Sequence, residues 1–159
     1  MSSISGSPDI AVPPQPAPSS EKANTVAHME FTFPGDVDSV AASREQVLQF
    51  VREHCWDEGD EIDLTIALQE ALINATLHGC GDDATKQIHC SVDVQPARAS
   101  FIIRDPGPGF DYQRLADPKY FESSTLEHGR GIALLRSVVD EVSFHNGGSE
   151  LRFTKHLSC

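Results

Sequence analysis

The spacing of apolar and polar residues changes period several times along the chain, and each change marks an element. His28-Met-Glu-Phe-Thr-Phe33 alternates with period two, as an edge strand with one covered face does, and Pro34-Gly35 ends it. Val40, Val47, Leu48 and Val51 recur at helical spacing and predict a helix, capped by Asp36 or Asp38, that runs to about His54. A second helix is expected to open at Asp60 or Asp63. Leu64, Leu68, Ala71, Leu72 and Ala75 form its buried stripe, and Gly79 to Asp83 supplies residues that tolerate the left-handed backbone of a helix stop.

Lys86–Val94 and Arg98–Arg104 alternate or run apolar on either side of Gln95-Pro96-Ala97, which predicts an antiparallel pair. Asp105 to Gly109 is a glycine-punctuated turn at the strand's end. Tyr112 to His128 keeps no period, and so long a polar stretch in a small domain predicts a lid. Gly129 is expected to begin a helix through about Asp140 that packs Ile132, Leu134, Leu135, Val138 and Val139 inward. Glu141–His145 and Glu150–Lys155 then make a hairpin around Asn146-Gly147-Gly148. The order β-α-α-β-β-loop-α-β-β does not alternate as a doubly wound sheet does, so the predicted class is α+β, a two-layer sandwich.

Residues 1–27, rich in Ser, Pro and Ala, carry too few apolar side chains to offset the entropy of ordering. They are predicted to be a disordered tail, leaving 28–159 as one domain. The net charge of −12 argues against direct nucleic-acid binding, because no basic patch exists to displace counterions from phosphates. Cys55, Cys80, Cys90 and Cys159 make no Cys-x-x-Cys pair and no zinc-finger spacing, so reduced structural thiols are expected, with Cys159 a loose terminal one. No apolar run is long enough to span a bilayer, and no basic segment followed by an apolar core opens the chain. No membrane association and a cytoplasmic location are the expectation.

The second helix carries a polar line within its apolar surroundings. Glu70, Asn74 and His78 lie four residues apart, one above the other on a single face. A carboxylate and a carboxamide there cost free energy to bury unless something pairs with them, and a solvated face or an internal hydrogen-bond network explains them as well as a site does. Asp105-Pro-Gly107-Pro-Gly109 lets backbone approach a ligand closely, although a plain Asp-Pro turn has the same composition. Gly129-Arg130-Gly131 at a helix start offers free N–H groups and the positive end of a helix dipole to phosphate oxygens, or serves as a hinge. No Walker-type loop and no dinucleotide fingerprint is present.

Taken in order, Glu-x-x-x-Asn, Asp-x-Gly-x-Gly and Gly-x-Gly resemble the nucleotide site of the GHKL ATPase superfamily, and more narrowly its branch of anti-sigma-factor serine kinases. The resemblance spans roughly Phe31 to Leu157. It implies a GHKL (Bergerat) ATP-binding fold, a mixed and mostly antiparallel sheet with helices on one face. It also implies ATP and Mg2+ as cofactors, Glu70 as general base, Asn74 as metal ligand and Asp105 as acceptor for the adenine amine. His78, Gly107, Gly109, His128, Gly129, Arg130, Gly131 and Ile132 line the remainder of the nucleotide site in this reading, with Ser149 standing where the family usually has threonine near adenine. Arg44, expected to be exposed on the first helix, falls near the surface such kinases offer to partners. The implied partners are a STAS-domain anti-sigma-factor antagonist and a sigma factor, and a homodimer is compatible with the reading. Two functions of different class follow: a protein serine kinase that phosphorylates the antagonist and sequesters the sigma factor, or a nucleotide-gated binding module that transfers nothing. A sensor histidine kinase core is a third option, for which the chain lacks the dimerisation helices.

Overall fold

The computed structural model describes residues 25–55, 57–113 and 127–158, and the side chains of 127–130 fall outside that description. The predicted tail and most of the predicted lid, with Cys159, therefore lie outside the described residues. Five strands form one sheet: β1 (Ala27–Gly35), β2 (Asp83–Gln95), β3 (Arg98–Arg104), β4 (Glu141–His145) and β5 (Glu150–His156), in the order β1-β2-β3-β5-β4. Every pairing is antiparallel, which corrects the expectation of a mixed sheet. Among the described residues three α-helices accompany it: α1 (Val40–His54), α2 (Glu58–Asn74) and α3 (Glu127–Val138). The class is α+β, as predicted.

Alternation in the strands decides which sheet face the helices cover. Ile88, Cys90, Val92 and Val94 of β2 are buried, as are Ala99, Phe101 and Ile103 of β3 and Leu151 and Phe153 of β5. Phe101 and Phe153 face each other in register and stack with centroids 4.7 Å apart. The helices meet this face through Val47, Leu48 and Val51 of α1, Leu64, Leu68, Ala71 and Leu72 of α2, and Ile132 and Leu135 of α3. Each of the valine, leucine and isoleucine side chains, fully buried, contributes roughly 1.5–3 kcal/mol relative to exposure. His28, Glu30 and Asp93 stand on the opposite face, where His28 Nδ1 is 2.7 Å from Asp93 Oδ1.

Several element ends differ from the reading of the sequence. Asp57, not Asp60 or Asp63, caps α2: its backbone is extended and its carboxylate accepts from Gly59 N at 2.7 Å. The far end of α2 passes into one π turn, Ala75–Gly79, where Cys80 N donates to Ala75 O at 3.0 Å. In α3, Leu134 is 43% exposed, whereas Ile132 and Leu135 are fully buried. Two helical steps of 100° each set Leu134 about 200° from Ile132, on the outer side. Cys55 is disulfide-bonded, contrary to the expectation of reduced thiols, while Cys80 and Cys90 are free and buried. No helix among the described residues is long and apolar enough to cross a membrane.

Candidate functional site

The site gathers around the C-terminal half of α2. Leu68, Ala71, Leu72 and Ala75 anchor that half in the core. Helical geometry then turns Glu70 and Asn74 to the side away from the sheet. Glu70, Asn74 and His78 line a cleft of about 90 Å3 together with Ile73, Leu77 and Gly131. The structure thus brings the first and third sequence motifs together. Burial raises the Glu70 carboxyl above its usual range, and no partner charge or hydrogen bond opposes the shift.

Gly131 approaches Glu70 so closely that a Cβ built on it lies 2.8 Å from Glu70 Oε2. The described part of the helix carrying it runs Glu127–Val138 and so already holds Gly129, where the sequence placed its start. Gly131, four residues into that described part, lies past the N–H groups that a helix start leaves free. His128 and Arg130 belong to the same turn by backbone, and their side chains lie outside the described residues. Ile132 is fully buried in the core, so its side chain does not face the cleft.

The second motif joins at the end of the π turn. Asp105 leaves the end of β3 half-buried, and a Cβ on Gly79 sits 2.1 Å from its Cγ. Only glycine at 79 leaves room for this carboxylate. Gly107 N donates to Asp105 Oδ1 at 2.8 Å, and a Cβ on Gly107 meets Gly79 O at 2.4 Å. Burial pushes the Asp105 carboxyl up, and the Gly107 N–H pulls it back in part. Gly109, with φ of +78°, lies against Gly147, whose carbonyl accepts from Phe110 N at 3.0 Å. Ser149 O accepts from Asp105 N at 3.0 Å, and the Ser149 hydroxyl donates to Asn146 O at 3.0 Å. The glycine turn and the last hairpin therefore hold each other, with Phe110 and Tyr112 packed on Phe144 at centroid distances of 5.2 and 5.5 Å.

Features that pattern reading did not find include the π turn itself and what it encloses. Thr76 within it is fully buried, and its hydroxyl has no hydrogen-bond partner among the described residues. Cys80 follows, against Gly35, where a Cβ lies 2.5 Å from the thiol sulfur. Burial, with a smaller contribution from Asp105, raises that thiol. Five residues are too few to reveal a change of helical period, though a single-turn π segment often marks a functional site. Arg44 is half-buried, not exposed, and its guanidinium donates to Gln69 of α2. It ties the two helices together.

Comparison with known proteins agrees with this arrangement. Residues 33–155 match the family described as histidine kinase-like ATPase domain. The anti-sigma F factor of Bacillus subtilis is 30% identical over 82% of this chain and 92% of its own length. The serine-protein kinase RsbW of the same organism is 29% identical over 85% of this chain and 89% of its own. Among solved structures, the RsbU and RsbW domains of a Mycobacterium tuberculosis protein share the fold with a TM-score of 0.59 at 18% identity. This chain aligns over 84% of its length with about a third, 33%, of that longer one. The chain belongs to the histidine kinase-like ATPase domain family, in its group of anti-sigma factors and serine-protein kinases.

Proposed function

We propose that this chain is an ATP-dependent serine-protein kinase and anti-sigma factor, whose phosphate acceptor is a STAS-domain antagonist and whose sequestered partner is a sigma factor. The observation that carries the reading is the Glu70 carboxylate. It lies in the cleft beside Asn74, made more basic by burial and paired with no cation among the described residues. A module that only bound nucleotide would have no use for such a group.

The residues present suit Mg-ATP. Asp105 in its glycine cradle offers a carboxylate to the exocyclic amine of adenine, and guanine presents an acceptor oxygen at that position, so ATP is preferred over GTP. Among the described residues no group of three His, Cys, Asp or Glu forms a metal site. Asn74 Oδ1 would hold a magnesium ion, a hard oxygen donor of the kind that ion takes together with substrate phosphates and water. The ion would supply charge neutralisation on the triphosphate. The acceptor serine's oxygen bonds to the terminal phosphorus as the bond to the bridging oxygen breaks and ADP departs. Glu70 takes the serine proton, and the free N–H groups at the start of α3 face phosphate oxygens.

The test is transfer of labelled terminal phosphate from Mg-ATP to STAS-domain antagonists. Label on a serine of the antagonist, reduced on the order of 10²–10⁴-fold in Glu70→Ala while ATP binding persists, is the expected outcome. ATP binding with no transfer to any antagonist would leave the sequestration module as the function.

A further inference from the structure

We infer that Gly131 is a positioning residue for Glu70: its missing side chain is the space in which the catalytic carboxylate lies. The inference rests on the kinase reading above and adds a specific role within it. Two observations converge. Among the described residues no hydrogen bond or cation fixes the direction of the Glu70 carboxyl, which burial alone shifts. Steric room must do so instead. A Cβ on Gly131 lies 2.8 Å from Glu70 Oε2 and 3.8 Å from Cδ, the atoms outside its own helix that it meets within 4 Å among the described residues. The one atom group that a side chain at 131 displaces is thus the end of Glu70.

Position along α3 separates this role from phosphate binding. Gly131 is at least the fifth residue of its helix, whose described part opens at Glu127, and so lies past the N–H groups left without helical partners. Its own N–H is committed inside the helix, and a side chain there reaches the base, not the ligand. The end of a glutamate side chain yields easily by rotation about its bonds. Alanine at 131 therefore turns the carboxylate away without opening the α2–α3 contact, and helix propensity favours it over glycine.

The experiment compares wild type, Gly131→Ala, Glu70→Asp and the double variant, all as full chains, by thermal melting, equilibrium ATP binding and single-turnover phosphotransfer to the antagonist. Gly131→Ala is expected to melt at the wild-type temperature or above and to bind ATP within about threefold of wild type. Its transfer rate is expected to fall about 10–100-fold, with KM for ATP little changed. Glu70→Asp withdraws the carboxylate by one methylene from the added methyl group. Adding Gly131→Ala to it should then cost less than threefold more, a non-additivity expected only of groups in contact. A Gly131→Ala protein with wild-type transfer overturns the inference. So does one whose ATP affinity falls with transfer of bound ATP unchanged, and so do fully additive losses. If wild type itself transfers nothing, the kinase reading has failed. If wild type transfers, Glu70→Ala does not and Gly131→Ala behaves as wild type, only the spacer role is lost.

Discussion

At the scale of single residues, Glu70 and Asp105 are two acids displaced in the same direction for related reasons. Burial raises both, and only Asp105 has a backbone N–H working against the shift. For Glu70 this sets a pH dependence with a definite sign. The group accepts a proton only when ionised, so kcat/KM for transfer is full at high pH and falls on acidification through a value above the ordinary 4.5. A raised acid also costs stability wherever the folded protein holds it ionised, and the cost vanishes below the unfolded value. Glu70→Gln should consequently melt above wild type at pH 7, by less than ~1 kcal/mol because solvent screens a part-buried group. The two proteins should converge as pH drops below the ordinary glutamate range. Melting curves across pH check it. A variant less stable than wild type at neutral pH would mean that the carboxylate is paired and is not a waiting base.

Elements show how much the sequence discloses and where it stops. Alternating or apolar runs marked β1, β2 and β3, the Asn146-Gly147-Gly148 turn marked β4 and β5, and the stripes Val47, Leu48, Val51 and Leu64, Leu68, Ala71 located α1 and α2, because burial on one side imposes those spacings. Neighbour order was not legible. Alternation is the same whether β5 lies beside β3 or at an edge, so its insertion between β3 and β4 emerges only in three dimensions. Five acidic residues between Asp57 and Asp63 all suit a helix start, and the one with an extended backbone takes the cap. Helical spacing put Glu70, Asn74 and His78 on one face and the glycines drew notice to Asp105, but it was the order of the three motifs, through the family resemblance, that made them candidates for one site. The constraint at Gly79 was not, since what forbids a side chain there comes from the end of β3. Its consequence is testable: Gly79→Ala drives a Cβ to 2.1 Å from Asp105 Cγ and 2.4 Å from Oδ1. The carboxylate must leave its place, and we expect a loss of about 1–3 kcal/mol in stability, as overpacking commonly costs. ATP affinity should drop more than ~10-fold. Denaturant melts with and without nucleotide measure both.

Across the whole molecule, the proposed site is a meeting of three segments distant in sequence. The end of α2 touches the start of α3 through Glu70 and Gly131, and it touches the end of β3 through Gly79 and Asp105. The last hairpin then fastens to the β3 turn through the hydrogen bonds of Asp105 with Ser149 and of Phe110 with Gly147. None of these contacts lies within one element, so a ligand spanning them binds the folded chain and has no counterpart site on the unfolded one. Mass action then requires Mg-ATP to raise the melting temperature, by about 2.7 kcal/mol of added stability at a hundredfold excess over Kd. Asp105→Asn replaces an acceptor with a group that can also donate, so at fixed ATP the shift should shrink, while GTP, which stabilises wild type poorly, should gain relative to ATP. Asn74→Ala should leave the shift by ATP without magnesium intact and remove the additional shift that magnesium confers, if the carboxamide is the ion's protein ligand. Equal shifts with ATP and GTP in wild type would place the base outside the Asp105 cradle. A melting temperature indifferent to Mg-ATP would mean that the three segments, though adjacent, do not close on one ligand.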